Sequence, residues 1–205
     1  MLIPLKDIIK KHQVRIHGVI HIGAHCGQEY KAYLQQNVKY MLFFEPVKSN
    51  YKRLVQVVPN TKYIHTFNVA LGNEVGVRSM YVETRNDGQS CSLLEPGTHL
   101  KQYPDITFEQ QEDVAIIQLD RVDFDRSKFD MINIDVQGFE LEVFKGAVKT
   151  LPFINVIYTE VNFEEVYKGC VQMSELDEFL LQYGFKRVML DSTLHGWGDA
   201  VYLKQ

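Results

Sequence analysis

Gly23-Ala24-His25-Cys26-Gly27 follows the apolar run 19–22 and precedes a helical pattern over 28–36. Doubly wound sheets hold adenosine-containing cofactors at such a strand-to-helix turn, where backbone N–H groups and a helix start face the ligand. The same glycines also suit a plain turn. Glu45 ends the next apolar run, about twenty residues on, where a carboxylate accepts hydrogen bonds from ribose hydroxyls or is simply solvated. Dinucleotides need a glycine at the second position of G-x-G-x-x-G so that the backbone can approach the pyrophosphate. His25 stands there. Its side chain would obstruct a pyrophosphate, whereas the methionine tail of S-adenosylmethionine carries no phosphate. The turn therefore favours S-adenosylmethionine and leaves a nicotinamide-dependent oxidoreductase as the weaker alternative.

The elements that must position this turn alternate along the chain. Apolar runs predict strands over 19–22, 40–44, 62–69, 131–134, 155–161, 186–190 and 197–203, and helical spacing predicts helices over 28–36, 49–57 with Ser49 as cap, 140–150 and 175–183. Two further strands are expected over 75–82 and 113–119. Between them, 85–104 is rich in Asn, Gly, Ser and Pro and reads as a long loop, a kind that is usually functional or mobile. Successive β-α-β units imply a parallel sheet, and a chain ending helix, strand, short loop, strand turns its last strand back antiparallel. The expected class is α/β, a mostly parallel doubly wound sheet with an antiparallel last strand. The short basic stretch 6–15 alternates with Ile8, Ile9 and Val14 and reads as an amphipathic helix with a solvated face.

With 205 residues, 45% hydrophobic and 23% charged, the chain can bury one good core, so a single domain over 1–205 is expected, complete or cut from a longer polypeptide. The net charge of -4 argues against a partner held by its phosphate backbone, and no N/D-P-P-Y-type tetrapeptide points to nucleic-acid methylation. Cys26, Cys91 and Cys170 are far apart and form no C-x-x-C pair. No apolar run approaches the roughly eighteen residues of a membrane span, and no signal-peptide pattern opens the chain. These features lead to the expectation of a soluble, cytoplasmic protein without a nucleic-acid partner.

Several ordered motifs together carry a family resemblance. They are Val19-Ile20-His21-Ile22-Gly23-Ala24-His25-Cys26-Gly27, Phe44-Glu45-Pro46 with Asn50 and Leu54, and Asn68-Val69-Ala70-Leu71-Gly72. Gly88-Gln89-Ser90-Cys91-Ser92-Leu93, Ile132-Asn133-Ile134-Asp135-Val136-Gln137-Gly138-Phe139-Glu140-Leu141-Glu142 and Lys145-Gly146-Ala147 complete the set. Over nearly its whole length the chain resembles the FkbM family of S-adenosylmethionine-dependent methyltransferases. The resemblance implies a class I methyltransferase (Rossmann-like) fold, S-adenosylmethionine as donor, and O-methylation, often of a sugar or glycan hydroxyl or a secondary metabolite. It also implies fusion to, or association with, glycosyltransferase domains. By that resemblance Gly23 and Gly27 line the cofactor turn, Glu45 holds the ribose, and Asn68, Val69 and Ala70 lie near the adenine. The chain departs from the family at His21, His25 and Gln137, where Asp, Asn and Glu are usual. The acidic group at the position of His21 helps orient the methionine ammonium, a charge that Asp135 on the adjacent strand is placed to supply.

An alcohol barely ionises at neutral pH, so its methylation needs a base or a metal ion. In this fold the first, fourth and fifth parallel strands are neighbours, so Asp135 and Glu160 at their C-terminal ends converge on the Gly23 crevice, with Asn162 two residues further on the face of Glu160. Asp135, Glu160 and Asn162 would make an oxygen-rich site for a divalent metal, Mg or Mn, resembling catechol-type methyltransferases. Alternatively one carboxylate with a raised pKa acts as base directly, or Asp135 merely caps the 140 helix. Glu140 and Glu142, in the first helical turns, are expected to be structural. For the acceptor, Ser90 and Ser92 lie in the long loop, and His195 and Trp197 in the connection at the crevice edge, where Trp197 stacks on a sugar face or packs in the core. A non-catalytic S-adenosylmethionine-binding module remains the competing reading. A filled crevice would favour the module, and an open one with Asp135 and Glu160 converging would favour the enzyme.

Overall fold

The computed structural model describes residues 1–205. In chain order the elements are α1 (Leu5–His12), β1 (Gly18–Ile22), α2 (Tyr30–Gln35), β2 (Tyr40–Phe44), α3 (Lys48–Val57), β3 (Ile64–Phe67), β4 (Ala70–Leu71) and β5 (Gly76–Val82). Then come α4 (His99–Gln102), β6 (Gln110–Ile117), β7 (Met131–Ile134), α5 (Glu140–Lys145), β8 (Val156–Asn162), α6 (Met173–Leu181), β9 (Phe185–Ser192) and β10 (Trp197–Lys204). Seven strands form the main sheet in the order β3-β2-β1-β7-β8-β10-β9, with β10 antiparallel to both of its neighbours and the β3-to-β8 pairs parallel. The expected α/β class and antiparallel last strand are thus found, the last strand being inserted between β8 and β9.

Strand β1 is buried at every position, as a central parallel strand covered on both faces must be. Because successive side chains point to opposite faces, its sequence divides between two cores. Ile20 and Ile22, with Leu42, Phe44, Ile132 and Ile134, face the side covered by α5, α6 and a second sheet. Val19, with Met41, Phe43 and Met131, faces Ile8 of α1, Tyr33 of α2 and Leu54 of α3. The chain runs from β1 outward through β2 to β3 on one side, then crosses back to run from β7 outward to β8 on the other. The carboxyl ends of β1 and β7 therefore flank a switch point, the place where such sheets bind ligands.

Some local expectations shift. Strands 75–82 and 113–119 do not join the main sheet but pair with each other and with β4, in the order β4-β6-β5. Strand 62–69 is shortened because the chain leaves β3 after Phe67 to enter that second sheet. Ser49 lies inside α3 rather than capping it; Val47 precedes the helix and offers no side-chain cap. The 140–150 helix ends at Lys145, where Gly146 lets the backbone of Gly72 approach, and a single tight turn at Leu151–Phe153 carries Pro152. Helix α6 begins at Met173, two residues before the expected start, closed by a capping box between Gln172 and Glu175. The long loop contains α4.

A Cβ at Gly146 would stand 1.9 Å from the carbonyl oxygen of Gly72, so backbone would have to separate from backbone. Gly146→Ala is expected to destabilise the protein by about 2–3 kcal/mol, read as a lower urea midpoint at unchanged slope.

Candidate functional site

A cavity of about 640 Å³ opens at the switch point. Of the residues expected there, His21, Gly23, His25, Glu45, Val69, Ala70, Ser90, Asp135, Glu160 and Trp197 line it. The lining holds five carboxylates, those of Glu29, Glu45, Asp135, Glu160 and Asp199, and no lysine or arginine side chain.

The glycine turn is shaped by close approach. Gly23 has φ +77°, and a Cβ there would fall 1.8 Å from the carbonyl oxygen of Asp135 across β1 and β7. His25 also takes a left-handed backbone, φ 47°, which sends its ring sideways. Gln28 Nε2 lies 2.7 Å from His25 Nδ1, and His25 Nε2 lies 2.7 Å from the carbonyl oxygen of Asp87, so the ring ties the turn to the long loop. Arg53 holds the side-chain carboxylate of Asp87 through its two terminal guanidinium nitrogens, and Asn50 Nδ2 donates to the carbonyl oxygen of Gly88. Gly27 is part of the turn but not of the cavity wall; its φ of +80° and its contact with Leu54 and Val58 let α3 pack closely. Glu45 is buried and accepts from His25 N (2.8 Å) and Val47 N (2.9 Å). Burial outweighs those hydrogen bonds and pushes its pKa up to about 7. Asn68 stands behind the wall, donating to the carbonyl oxygens of Glu45 and Pro46, and thereby fixes the strand end rather than facing the cavity.

His21 occupies the strand between these groups. Tyr33 Oη lies 3.2 Å from its Nδ1, Asn133 Nδ2 lies 3.3 Å from its Nε2, and Glu29 approaches to 4.0 Å. Burial drives its pKa down to about 4, against the pull of Glu29, so the imidazole is neutral at pH 7.

Asp135 and Glu160 do converge. Gln137 Nε2 donates to Asp135 Oδ1 at 2.7 Å and to Glu160 Oε2 at 2.8 Å. Asp135 is exposed, but its surface faces the cavity rather than open solvent. Burial, and after it the repulsion of neighbouring carboxylates, raise the pKa of both groups against the hydrogen bonds from Gln137. Asn162 does not join them. It stands outside the cavity wall, buried, with both amide atoms unpartnered. Glu140 is the third carboxyl instead, with an oxygen within 4.8 Å of Asp135 and Glu160. Its Oε1 accepts from Val136 N and Gly138 N, as its place in the first helical turn predicts.

On the far side Trp197 Nε1 donates to Tyr103 Oη at 3.1 Å, giving an aromatic wall. His195 lies outside it, exposed, with its ring 5.0 Å from that of Tyr103. Ser92 is fully buried, and its hydroxyl donates to the carbonyl oxygen of Gln137, so it braces the strand-end turn instead of facing the cavity. Sequence reasoning missed Asp199, Tyr158, Glu29 and Tyr103. Asp199 stands directly opposite Glu160 in the β8–β10 register and bonds Tyr158 Oη. Only the register reveals it, since the sequence shows one more charged residue in a closing strand.

An open parallel sheet with a glycine turn, a strand-end acid and an inserted antiparallel strand defines the class I S-adenosylmethionine-dependent methyltransferase fold. Residues 21–187 match the model of the methyltransferase FkbM domain, and the chain belongs to that family. It is accordingly a methyltransferase that uses S-adenosylmethionine. It is 28% identical over 171 residues to the 2-O-methyltransferase NoeI of Sinorhizobium fredii, covering 79% of this chain and 70% of that one. Two solved structures share the fold at low identity. The magnesium protoporphyrin IX methyltransferase of Synechocystis with bound SAM superposes with a TM-score of 0.52 at 7% identity, over 97% of this chain and 74% of that one. The 1,6-didemethyltoxoflavin-N1-methyltransferase of Burkholderia thailandensis, with S-adenosylhomocysteine, gives 0.52 at 13%, over 98% and 77%. No helix is long and apolar enough to cross a membrane.

His21 makes stability acid-sensitive. The unfolded chain takes up a proton near the ordinary value of 6.5 and the folded one only near 4. Stability linked to the neutral ring is therefore present above pH 6.5 and lost as pH falls toward 4, by about 3 kcal/mol in all. Urea midpoints of wild type and His21→Gln measured from pH 7 to 4 should diverge less and less in favour of wild type, because the variant lacks this loss.

Proposed function

We propose that the protein methylates a hydroxyl of a sugar or glycan, or of a comparable small hydroxyl compound, with Asp135 as the proton acceptor and Glu160 as its partner. The observation that carries this reading is the pairing of the two carboxyls at adjoining strand ends, on the cavity wall beside the Gly23 turn. The acceptor oxygen attacks the methyl carbon, the carbon–sulfur bond breaks with its electrons going to sulfur, and the hydroxyl proton passes to the Asp135 carboxylate. Sulfonium is a good leaving group, so holding donor and acceptor in line supplies much of the rate. The carboxylate meets the remaining need, a destination for a proton that an alcohol does not shed unaided.

Trp197 and Tyr103 supply the flat apolar face on which a sugar ring stacks, and Ser90 adds a polar residue to the lining of the same cavity. The relative named as a 2-O-methyltransferase supports oxygen as the acceptor atom. An open cavity, with the two carboxyls converging in it, favours an enzyme over a binding module. Three free cysteines, Cys26, Cys91 and Cys170, suit a reducing, cytoplasmic setting.

Calorimetric titration with S-adenosylmethionine and S-adenosylhomocysteine, with NAD as control, should give binding for the first two alone. Transfer of labelled methyl to a panel of glycans then tests the acceptor class, and transfer only to amine or ring-nitrogen acceptors would overturn it. Asp135→Asn should lower turnover about 100-fold or more at saturating S-adenosylmethionine. Because Asp135 acts ionised and its pKa is raised, activity should rise with pH along a limb lying above the ordinary aspartate range. That limb should vanish in the variant.

A further inference from the structure

We infer that Gln137 is a positioning residue that keeps Asp135 and Glu160 as a metal-free pair, its side-chain NH2 filling the place where a divalent cation would otherwise join the two carboxyls.

A hard cation needs oxygens converging on one point at about 2.0–2.6 Å. The point between Asp135 and Glu160 is taken by Gln137 Nε2, which spends one proton on each, at 2.7 and 2.8 Å. The amide is anchored at its other end. Tyr167 Oη lies 2.7 Å from Gln137 Oε1 and 3.0 Å from the carbonyl oxygen of Ser90, and its single proton on the amide oxygen turns the amide nitrogen toward the carboxyls. The main chain is held as well. Gln137 has φ 56° beside Gly138 at φ 97°, a left-handed pair that folds the side chain back over the strand end, and Ser92 Oγ donates to the Gln137 carbonyl oxygen at 2.8 Å.

Rotated about, the amide would bring its oxygen against two carboxyl oxygens, a cluster that only protons or a cation could hold together. The neighbouring Glu140 keeps one oxygen, Oε2, buried without a partner. Exchanging the amide for a carboxylate would therefore gather oxygens from Asp135, Glu140, Glu160 and the new side chain around one point, an octahedral donor set in the making. The step from amide to carboxylate thus separates a proton-taking pair from a cation site. The use of the pair on an acceptor rests on the O-methylation reading above, but its freedom from metal does not.

The test is titration of Mn2+ into wild-type protein, Gln137→Glu and Asp135→Asn, following free Mn2+ by electron paramagnetic resonance. A cooperative urea transition serves as the check that each protein is folded. Wild type should show no stoichiometric binding at submillimolar Mn2+, whereas Gln137→Glu should bind one ion at least tenfold more tightly. One equivalent bound by wild type and lost in Asp135→Asn would overturn the inference, meaning that the amide turns its oxygen inward, and this readout needs no substitution at Gln137. A folded Gln137→Glu that binds no better than wild type would overturn it too, since the amide would then not be what excludes the ion. Neither readout requires an acceptor, so failure here and failure of methyl transfer are separate results.

Discussion

The structure depends on how closely β1 and β7 run at their carboxyl ends. Space for a single hydrogen, and no more, exists between Gly23 and the carbonyl oxygen of Asp135, where a Cβ would intrude to 1.8 Å. That contact sets the turn and the acid end of β7 side by side, so the donor turn and the candidate base are positioned by one backbone approach rather than by two independent loops. The fully buried strands behind it resist adjustment, because alternate residues are committed to cores on opposite faces. A site built on such strand ends is held more exactly than one built on loops, which in-line displacement requires.

The electrostatics follow from the same enclosure. Five carboxylates line a cavity without a lysine or arginine, and burial raises the pKa of Glu45, Asp135, Glu160 and Asp199. Asp135, Glu160 and Asp199 oppose one another's ionisation, and the Met1 ammonium beside Glu29 offsets only part of that repulsion. A ligand that carries a sulfonium and an ammonium relieves the repulsion it enters, so the donor's charge is complementary to the wall in a way that a phosphate-bearing dinucleotide is not. The bulk of His25 is by itself weak ground for excluding a dinucleotide. The observed ring turns toward Asp87 and Gln28, so the charge of the wall is the stronger reason.

What could be read from the sequence was what depends on local pattern: the alternation of strands and helices, the glycine turn, Glu45, and the strand-end positions of Asp135 and Glu160. What could not was anything fixed by register or by the way a loop folds over the sheet. Asp199 meets Glu160 only through the β8–β10 pairing. Asn162 has the right alternation to follow Glu160, but it lies one step beyond the wall, and Glu140 takes the third place from a helix whose first turn the backbone folds under the strand end. Ser92 and Ser90 are two residues apart in one loop, yet one is sealed against Gln137 and the other faces the cavity. Sequence spacing carries no signal for that difference. The second sheet was equally hidden, since strands 75–82 and 113–119 look no different from members of the main one.

His21 shows how a departure from a family pattern can be absorbed nearby. An acid on this strand would place a charge among Tyr33, Phe43 and Asn133, deep on the helix-covered face. A neutral imidazole fills that space, with polar contacts on both ring nitrogens and no ionic cost at pH 7. Negative charge is still present, because Glu29, just ahead of α2, lies 4.0 Å from the ring and lines the cavity, and Asp135 faces it from the next strand. The charge has moved from the strand to its surroundings, where the Glu29 carboxylate is only partly buried. Substitution at the strand position therefore alters the stability of the apo protein with pH more directly than it alters the sign of the field that a cationic donor meets.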